Sequence, residues 1–446
     1  MRQLLFTICL LLFAALSHAQ HYALAPVNNK EELDQLIRQG EGGHVETMGY
    51  LGDIYAKGLS VPKDLSKAMY WYTKAAEKGD ATCMNNIGTL YMDEAAYHYD
   101  YTTAMRWFQK AAALDLGRAM YNIGTLYDLG LGIPADKAAA AGWHQKATRH
   151  GEPEGFTGMG VQYLRDSLGP DREHNFTEAA NWFRKGIDSG SVESMSNMGM
   201  LLAEGAGVPK DEVAAAKLFL QAAETGNTVA CYNLGLAYKE GRGVPQNYAT
   251  AFTWLKKAAD KGFTEAMAHV AAALYNGRGV DRDMEKALEW NLKAAADSNA
   301  LAMNNVGIAY LGGAGATLNY DSAITWFARA ANLRYKNAIL RIMEMRDNDV
   351  IPASWQKKQW MSPGTFVEIK KQADAGNDEA MLEMGVLYEL GQGAPADYKQ
   401  AMQWYLKAAA KGNEQAMNCV GMLYEYGRGV PKDYKKAVEW YSKIRR

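Results

Sequence analysis

The chain has little cysteine, little proline beyond a recurring turn, and no excess of charge of either sign. Four cysteines in 446 residues are too few for a disulfide-built scaffold, and Cys9 lies in the apolar N-terminal run. The other three, Cys83, Cys231 and Cys419, are dispersed and read as buried thiols, although an exported chain would permit one bridge between them. Lysine plus arginine total 48 against 50 acids, a formal charge of −2. That balance excludes the electrostatic footprint of a nucleic-acid binder or of a protein held on an acidic membrane surface. The eight histidines, among them His44, His98, His144, His174 and His269, form no His-Glu-x-x-His or His/Cys pattern, so neither a metal nor another cofactor is expected. Apart from the N-terminus, no stretch is apolar enough to cross a membrane.

That N-terminus, "MRQLLFTICLLLFAALSHAQ", has Arg2, an apolar run over 4–16, and Ser17 and Ala19 spaced as a cleavage site. The run is too short for a bilayer span and predicts a secretory signal over 1–19, cut after Ala19. The expected product is exported, periplasmic or secreted, with no membrane insertion after cleavage and a charge of −3.

What the sequence has in abundance is repetition. Small residues in one context fall at Gly52, Gly88, Gly124, Gly160, Gly199, Gly235, Ala271 and Gly307, then at Met343, Gly385 and Gly421. Successive steps are 36 residues, with one of 39 and one of 42. A period held over the whole chain specifies a solenoid of about eleven units. Within a unit, residues four and one before the anchor, the anchor, and three after it lie on one helical face, as in Met120, Ile123, Gly124 and Tyr127. A Gly-x-Gly-x-Pro turn follows, as in "GRGVPQN" (241–247), with Asp or Asn placed to cap the next helix. The second helix carries Trp71, Trp107, Trp143, Trp182, Trp254, Trp290, Trp326, Trp404 and Trp440 at one position, with Phe219 read as a substitute. Each indole is expected to bury about 200 Å² against the neighbouring unit, roughly 5 kcal/mol before entropy. Glycines such as Gly79, Gly226 and Gly412 end this helix.

The pattern A-x-x-x-N-x-G-x-x-Y, G-x-G-V-P-x-D-Y, K-A-x-x-W-[YF]-x-K-A-A-x-x-G resembles the Sel1-like repeat family, relatives of the tetratricopeptide repeats, over residues 44–446. The resemblance implies an all-α right-handed superhelix of helix pairs and a role in holding proteins together, in bacteria often in the envelope. The expected organisation is a signal over 1–19, an N-terminal segment with a capping helix over 20–43, a repeat array over 44–343, a degenerate repeat and insertion over 344–365, and further repeats over 366–446. The helix "KEELDQLIRQG" (30–40) serves as the cap.

Two departures stand out. The second unit lacks its glycine turn (92–101), and the ninth has Met343 and Arg346 where Gly and Tyr belong, followed by an insertion over 346–364. The insertion reads as a surface loop on a decayed repeat, or as a contact patch presenting Trp355 and Trp360.

For the partner site, the position two before the anchor lies about 150° from the centre of the buried face at 100° per residue. Asn86, Asn122, Asn197, Asn233 and Asn305 occupy it, with His269 between the last two. In related repeats this face lines a concave groove and an asparagine there holds peptide backbone, which an amide suits by donating and accepting together. The other reading is a consensus asparagine bonded to an adjacent helix or to solvent. Catalytic patterns are sparse. Ser60–Lys63 and Ser354–Lys357 match Ser-x-x-Lys without the companion motifs of a β-lactam hydrolase. The leading expectation is a non-enzymatic periplasmic adaptor or regulator for a protein or peptide partner. The alternatives are an immunity protein against a toxic effector and, third, a β-lactam hydrolase.

Overall fold

The computed structural model describes residues 27, 29–92, 99–167, 171–355 and 358–444. The expected signal over 1–19, His98, much of the second unit's turn and Lys357 lie outside the described residues. Among those described there are 23 α-helices and no strand, and no helix is long and apolar enough to cross a membrane.

After α1 (Lys30–Glu41), A and B helices alternate. The first compact unit, up to Gln246, holds α2 (Val45–Lys57), α3 (Leu65–Glu77), α4 (Ala81–Tyr91), α5 (Tyr101–Ala112), α6 (Gly117–Leu129), α7 (Lys137–Arg149), α8 (Pro153–Asp166), α9 (Arg172–Asp188), α10 (Val192–Glu204), α11 (Glu212–Glu224) and α12 (Thr228–Glu240). The second, from Asn247, holds α13 (Tyr248–Asp260), α14 (Thr264–Asn276), α15 (Met284–Ala296), α16 (Ala300–Gly312), α17 (Tyr320–Asn332), α18 (Lys336–Asp347), α19 (Pro363–Asp374), α20 (Asp378–Leu390), α21 (Tyr398–Ala409), α22 (Glu414–Tyr426) and α23 (Tyr434–Lys443). In α1, Leu33, Leu36 and Ile37 pack on the first core, which also takes in Trp71 and Leu51.

The local chemistry follows the repeat. Asp64, Asp136, Asp211, Asn247, Asp283, Asn319 and Asp433 each accept a backbone N–H in the first turn of a B helix. After each B helix from α3 to α21 comes a left-handed residue. It is glycine at Gly79 or Gly262, but Asp115, Ser298 and Arg334 adopt the same conformation in their units. The second glycine of the Gly-x-Gly turn has a different duty. It is left-handed, and a Cβ on it would strike the B helix of the preceding repeat, as Gly207 shows against the Phe176 backbone at 2.3 Å.

The anchor glycine also has an identifiable counterpart. A Cβ on Gly88, Gly160, Gly199 or Gly307 would lie within 2.6 Å of the ring of Phe108, Phe183, Phe219 or Phe327. These rings come one residue after the tryptophan position. Phe219 therefore does not substitute for tryptophan; Leu218 stands in that slot, and Phe219 is the ring that fills the space its anchor glycine leaves. The correction extends to the energetics. Tyr72, Phe108, His144, Phe183, Phe327 and Tyr405 are fully buried, whereas the tryptophans other than Trp71 and Trp404 are half-buried. Each of the nine indoles in the repeat position carries a lysine or arginine from one turn later over its face, from 3.3 Å at Lys443–Trp440 to 5.4 Å at Lys74–Trp71. The indole is thus a wall of the repeat with a cation as its lid.

The ninth unit is rebuilt around its insertion. α18 packs against α17 and α20 and barely touches α19, and Ile369 takes the buried slot on α19. Reciprocal clamps hold the insertion itself: Gln392 Oε1 accepts from the backbone N of Trp360 at 2.8 Å and its Nε2 donates to Lys358 O at 3.0 Å. In return Gln359 Nε2 donates to Gly391 O at 2.7 Å and its Oε1 accepts from Gly393 N at 3.2 Å. A strap fastened from both sides has replaced the usual turn.

Candidate functional site

On an A helix, residues six and two before the anchor and one after it share a face, since they follow the i, i+4, i+7 spacing. The predicted asparagine row lies on this face, but its members have different fates. In the first unit Asn86, Asn122 and Asn197 are buried. Asn122 Nδ2 donates to Asn85 Oδ1 of the preceding repeat at 2.8 Å, and Asn85 lies beside Asn86 with 3.5 Å between their amides. The premise that this position stands well away from buried surface is corrected by these three residues, and the Asn122–Asn85 bond is a rung between two repeats. One repeat onward the ladder continues in hydroxyls, with Thr157 Oγ1 at 2.9 Å from Ser191 Oγ and 2.7 Å from Ser194 Oγ.

On α12 Asn233 is half-buried, with Leu236 beside it, but its Nδ2 is buried and without a hydrogen-bond partner. In the second unit, His269 and Asn305 are half-buried too, among Glu265, exposed Ala272, Leu301 at 44% exposure and Ile308. The imidazole and amide thus sit in a stripe of mixed polar and aliphatic character on α14 and α16. Asn305 Nδ2 reaches Asn291 Oδ1 only at 3.5 Å, so its amide keeps capacity for a further partner. The two tryptophans of the insertion are half-buried rather than exposed, and Trp355 has Lys358 Nζ 3.9 Å from its ring centre.

The first unit carries charge where its amides are buried. Arg118 of α6, Glu154 of α8 and Glu193 of α10 hold equivalent places in successive repeats, with Glu152 capping α8. Arg118 Nη2 donates to Glu154 Oε2 at 3.0 Å, and its Nε lies 2.8 Å from Glu152 Oε1, an ion pair out of hydrogen-bond alignment. One guanidinium serves three carboxyl groups. Burial, then hydrogen bonding to Glu154, pushes Glu152 up to about 8, and burial with the charge of Glu154 pushes Glu193 up to about 7. Burial acts on Glu154 as well, but the hydrogen bond from Glu152 and the charge of Arg118 hold it below the ordinary carboxyl range.

The sign follows from linkage. Folded values above the unfolded one favour the protonated fold, so this stability is complete below the unfolded carboxyl range and is lost as pH rises through 7 to 8. Denaturation of the wild type should therefore show the first unit weakening between pH 5.5 and 9 by on the order of 3 kcal/mol. Glu152→Gln, which keeps a donor toward Glu154, should flatten that dependence. An unchanged profile in the variant would refute the assignment.

A second buried dyad, His144 Nε2 to Asp128 Oδ2 at 3.0 Å, has the form of a catalytic pair but not the setting. Both side chains are at most 1% exposed, and the ring is wedged between Gly124 and Gly158. Asp128 also takes Gln162 and Arg165 at 3.2 and 3.3 Å. His144 occupies the ring slot that holds Tyr72 over Asp53 and Tyr405 over Glu389 in other repeats, so the dyad is an architectural variant of the ring-and-acid pair. The Ser-x-x-Lys serines are committed elsewhere: Ser60 donates to Val27 O at 2.6 Å and Ser354 to Asp321 at 2.7 Å. No group of three metal-ligating side chains occurs among the described residues, and Cys83, Cys231 and Cys419 are buried free thiols.

Helix pairs stacked through glycine–ring contacts, amide ladders and close-approach turns define an α-solenoid repeat protein. The Sel1 repeat profile matches residues 45–80, 81–116, 117–152, 158–191, 192–227, 228–263, 264–299, 300–335, 378–413 and 415–444, and the chain belongs to that family. The unmatched stretch between 335 and 378 is the rebuilt ninth unit. Sel1 repeat proteins generally mediate protein–protein interaction on a non-enzymatic scaffold. Among solved structures the chain is similar to c5321, described as a protective antigen present in uropathogenic Escherichia coli strains and displaying an SLR fold. The identity is 28%, with 94% of this chain and 87% of that one covered and a TM-score of 0.52. A Sel1 repeat protein from Oxalobacter formigenes is 23% identical over 75% of this chain and 94% of that one, with a TM-score of 0.47. No curated protein matches the sequence significantly.

Proposed function

We propose that the chain is exported and acts outside the cytoplasm as a non-enzymatic scaffold, holding a protein or peptide partner on the accessible A-helix face of α14 and α16 in the second unit. The observation that carries this reading is the exposure of that face. The equivalent Asn86, Asn122 and Asn197 are buried in the first unit, whereas His269 and Asn305 in the second are half-buried among Ala272, Leu301 and Ile308. Aliphatic patches between groups that both donate and accept suit a polypeptide, whose backbone needs both. The signal-like N-terminus supports export, and the similar chain's description as a protective antigen is compatible with it.

The test is capture of partners from an envelope extract by mature wild type and by two variants, His269→Arg and Asn305→Arg, each checked for unchanged helix content. Loss of the same protein from both variants is the expected result, and its identity separates an adaptor or regulator from an inhibitor of a toxic enzyme. A partner retained by both variants would refute the face.

A further inference from the structure

The outward side of the B helices differs sharply along the chain. α3, α5 and α7 together carry seven lysines and arginines against the single acid Glu77. Their counterparts α13, α15 and α17 carry five cations against four acids. The lysine over each indole is common to both sets and is part of the repeat, so it does not account for the difference. The surplus comes from further cations without matching acids, above all Arg106 and Arg149, both exposed.

Of the four cations beyond those over the indoles, two are paired and two are not. Lys67 and Lys137 pair with Asp64 and Asp166. Lys74, Arg106, Lys110, Lys146 and Arg149 are in no ion pair among the described residues, although Arg106 is near enough to help lower the N-cap Asp100. The N-cap acids Asp64, Asp100 and Asp136 bond to backbone at the other end of their helices.

The basic face also has a receptacle. A cleft of about 420 Å³ opens between α5 and α7, with Ala112, Met120 of α6 and Trp143 giving it apolar walls and Lys146, Arg149 and His150 along one rim. Asp115 stands at the edge, 3.9 Å from His150. The exposed indole faces are already covered, by Lys110 at 4.1 Å and Lys146 at 4.0 Å, so a sugar ring has no bare aromatic platform to stack on. An aliphatic side chain flanked by carboxylates fits such a cleft with its apolar walls and basic rim. An extended chain advances about 3.3 Å per residue, so acids at every third position recur about every 10 Å along such a face.

We infer that the outward face of α3, α5 and α7 docks an acidic, extended segment of a protein partner, one aliphatic side chain entering the cleft between α5 and α7. This deepens the protein-binding reading and rests on it, but uses the opposite helices. Two faces would let one scaffold hold two proteins, or two parts of one.

The probe is a fluorescein-labelled Glu-Glu-Leu repeat peptide of about twelve residues, long enough to cross three helices. Its binding to the mature protein is followed by anisotropy at low and physiological salt. Wild type should bind saturably and more weakly as salt rises. Arg106→Glu/Arg149→Glu, which leaves the indole-covering lysines intact, should weaken binding at least tenfold, and Arg106→Gln/Arg149→Gln should do so by less. Lys257→Glu/Lys293→Glu in the second unit should leave it unchanged. No saturable binding, an equal loss in the second-unit variant, or tighter arginine-dependent binding of polygalacturonate would each overturn the inference. A wild type that ignores the peptide yet still captures a partner through His269 and Asn305 would sink this inference alone.

Discussion

Replacing Arg346 by tyrosine, the residue most repeats carry at that place, is expected to destabilise the second unit by about 3 kcal/mol, not to repair it. Arg346 Nη2 lies 2.8 Å from Asp347 Oδ1 and 2.9 Å from Glu389 Oε2, and Arg428 Nη1 reaches the same Asp347 oxygen at 2.9 Å. Tyr405 donates to Glu389 at 2.7 Å from the ring slot of the next repeat. The group joins α18, α20, α21 and the turn after α22 at the point where α18 has lost close packing with its own B helix. Glu389 is only 4% exposed, so removing the guanidinium leaves a buried carboxylate with one hydroxyl to stabilise it. Equilibrium denaturation of Arg346→Tyr checks this, and a gain in stability would mean that the ninth unit is a decayed repeat after all.

The second large effect belongs to the turn glycines. Gly279 has φ +75°, and a Cβ there would sit 2.2 Å from the backbone C and O of Tyr248 in the preceding B helix. Gly279→Ala therefore combines a left-handed penalty of about 1–2 kcal/mol with a clash that only separation of two repeats relieves, for a total of about 3 kcal/mol. Gly262 supplies the control. Its φ is +88° but nothing lies within 4 Å of the added methyl, so Gly262→Ala should cost about 1 kcal/mol, the conformational part alone. Thermal or urea denaturation of the two variants separates close approach from backbone conformation. Equal losses would contradict the contact.

Most of the fold was legible because a solenoid writes each contact many times. The period, the caps and the alternation of A and B helices follow from spacing and from Asp, Asn, Gly and Pro at fixed places. Two readings went astray for the same reason: helical angles give a direction without saying what stands there. The position of Asn122 points away from its own repeat's B helix, yet the A helix of the preceding repeat meets it. The tryptophans drew attention by size, while the deeper burial belonged to the residue after each, whose role emerges only when Gly199 and Phe219 are seen to fill one space. A sequence signal for this existed: at the unit where the anchor is Ala271, the ring slot holds the shorter Asn291. The Arg118 and Arg346 groups had no repeat pattern to betray them, since their partners come from several repeats and the ion pairs occur once each. The Gln359–Gln392 clamps were equally hidden, because glutamine in a loop has no fixed partner in sequence.

The two glycine contacts differ in reach, and that difference bears on how such genes change. The anchor meets a ring of its own repeat, whereas the turn glycine meets the B helix of the repeat before it. A tandem duplication that copies one whole period reproduces both contacts at each new junction, wherever its endpoints fall within the period. A duplication of any other length puts a side chain where only a hydrogen fits. Chains of this kind can therefore lengthen or shorten by entire modules without redesign of a single junction. The strap and charge group of the ninth unit interrupt that freedom and mark a stretch that unequal exchange cannot copy or delete in isolation.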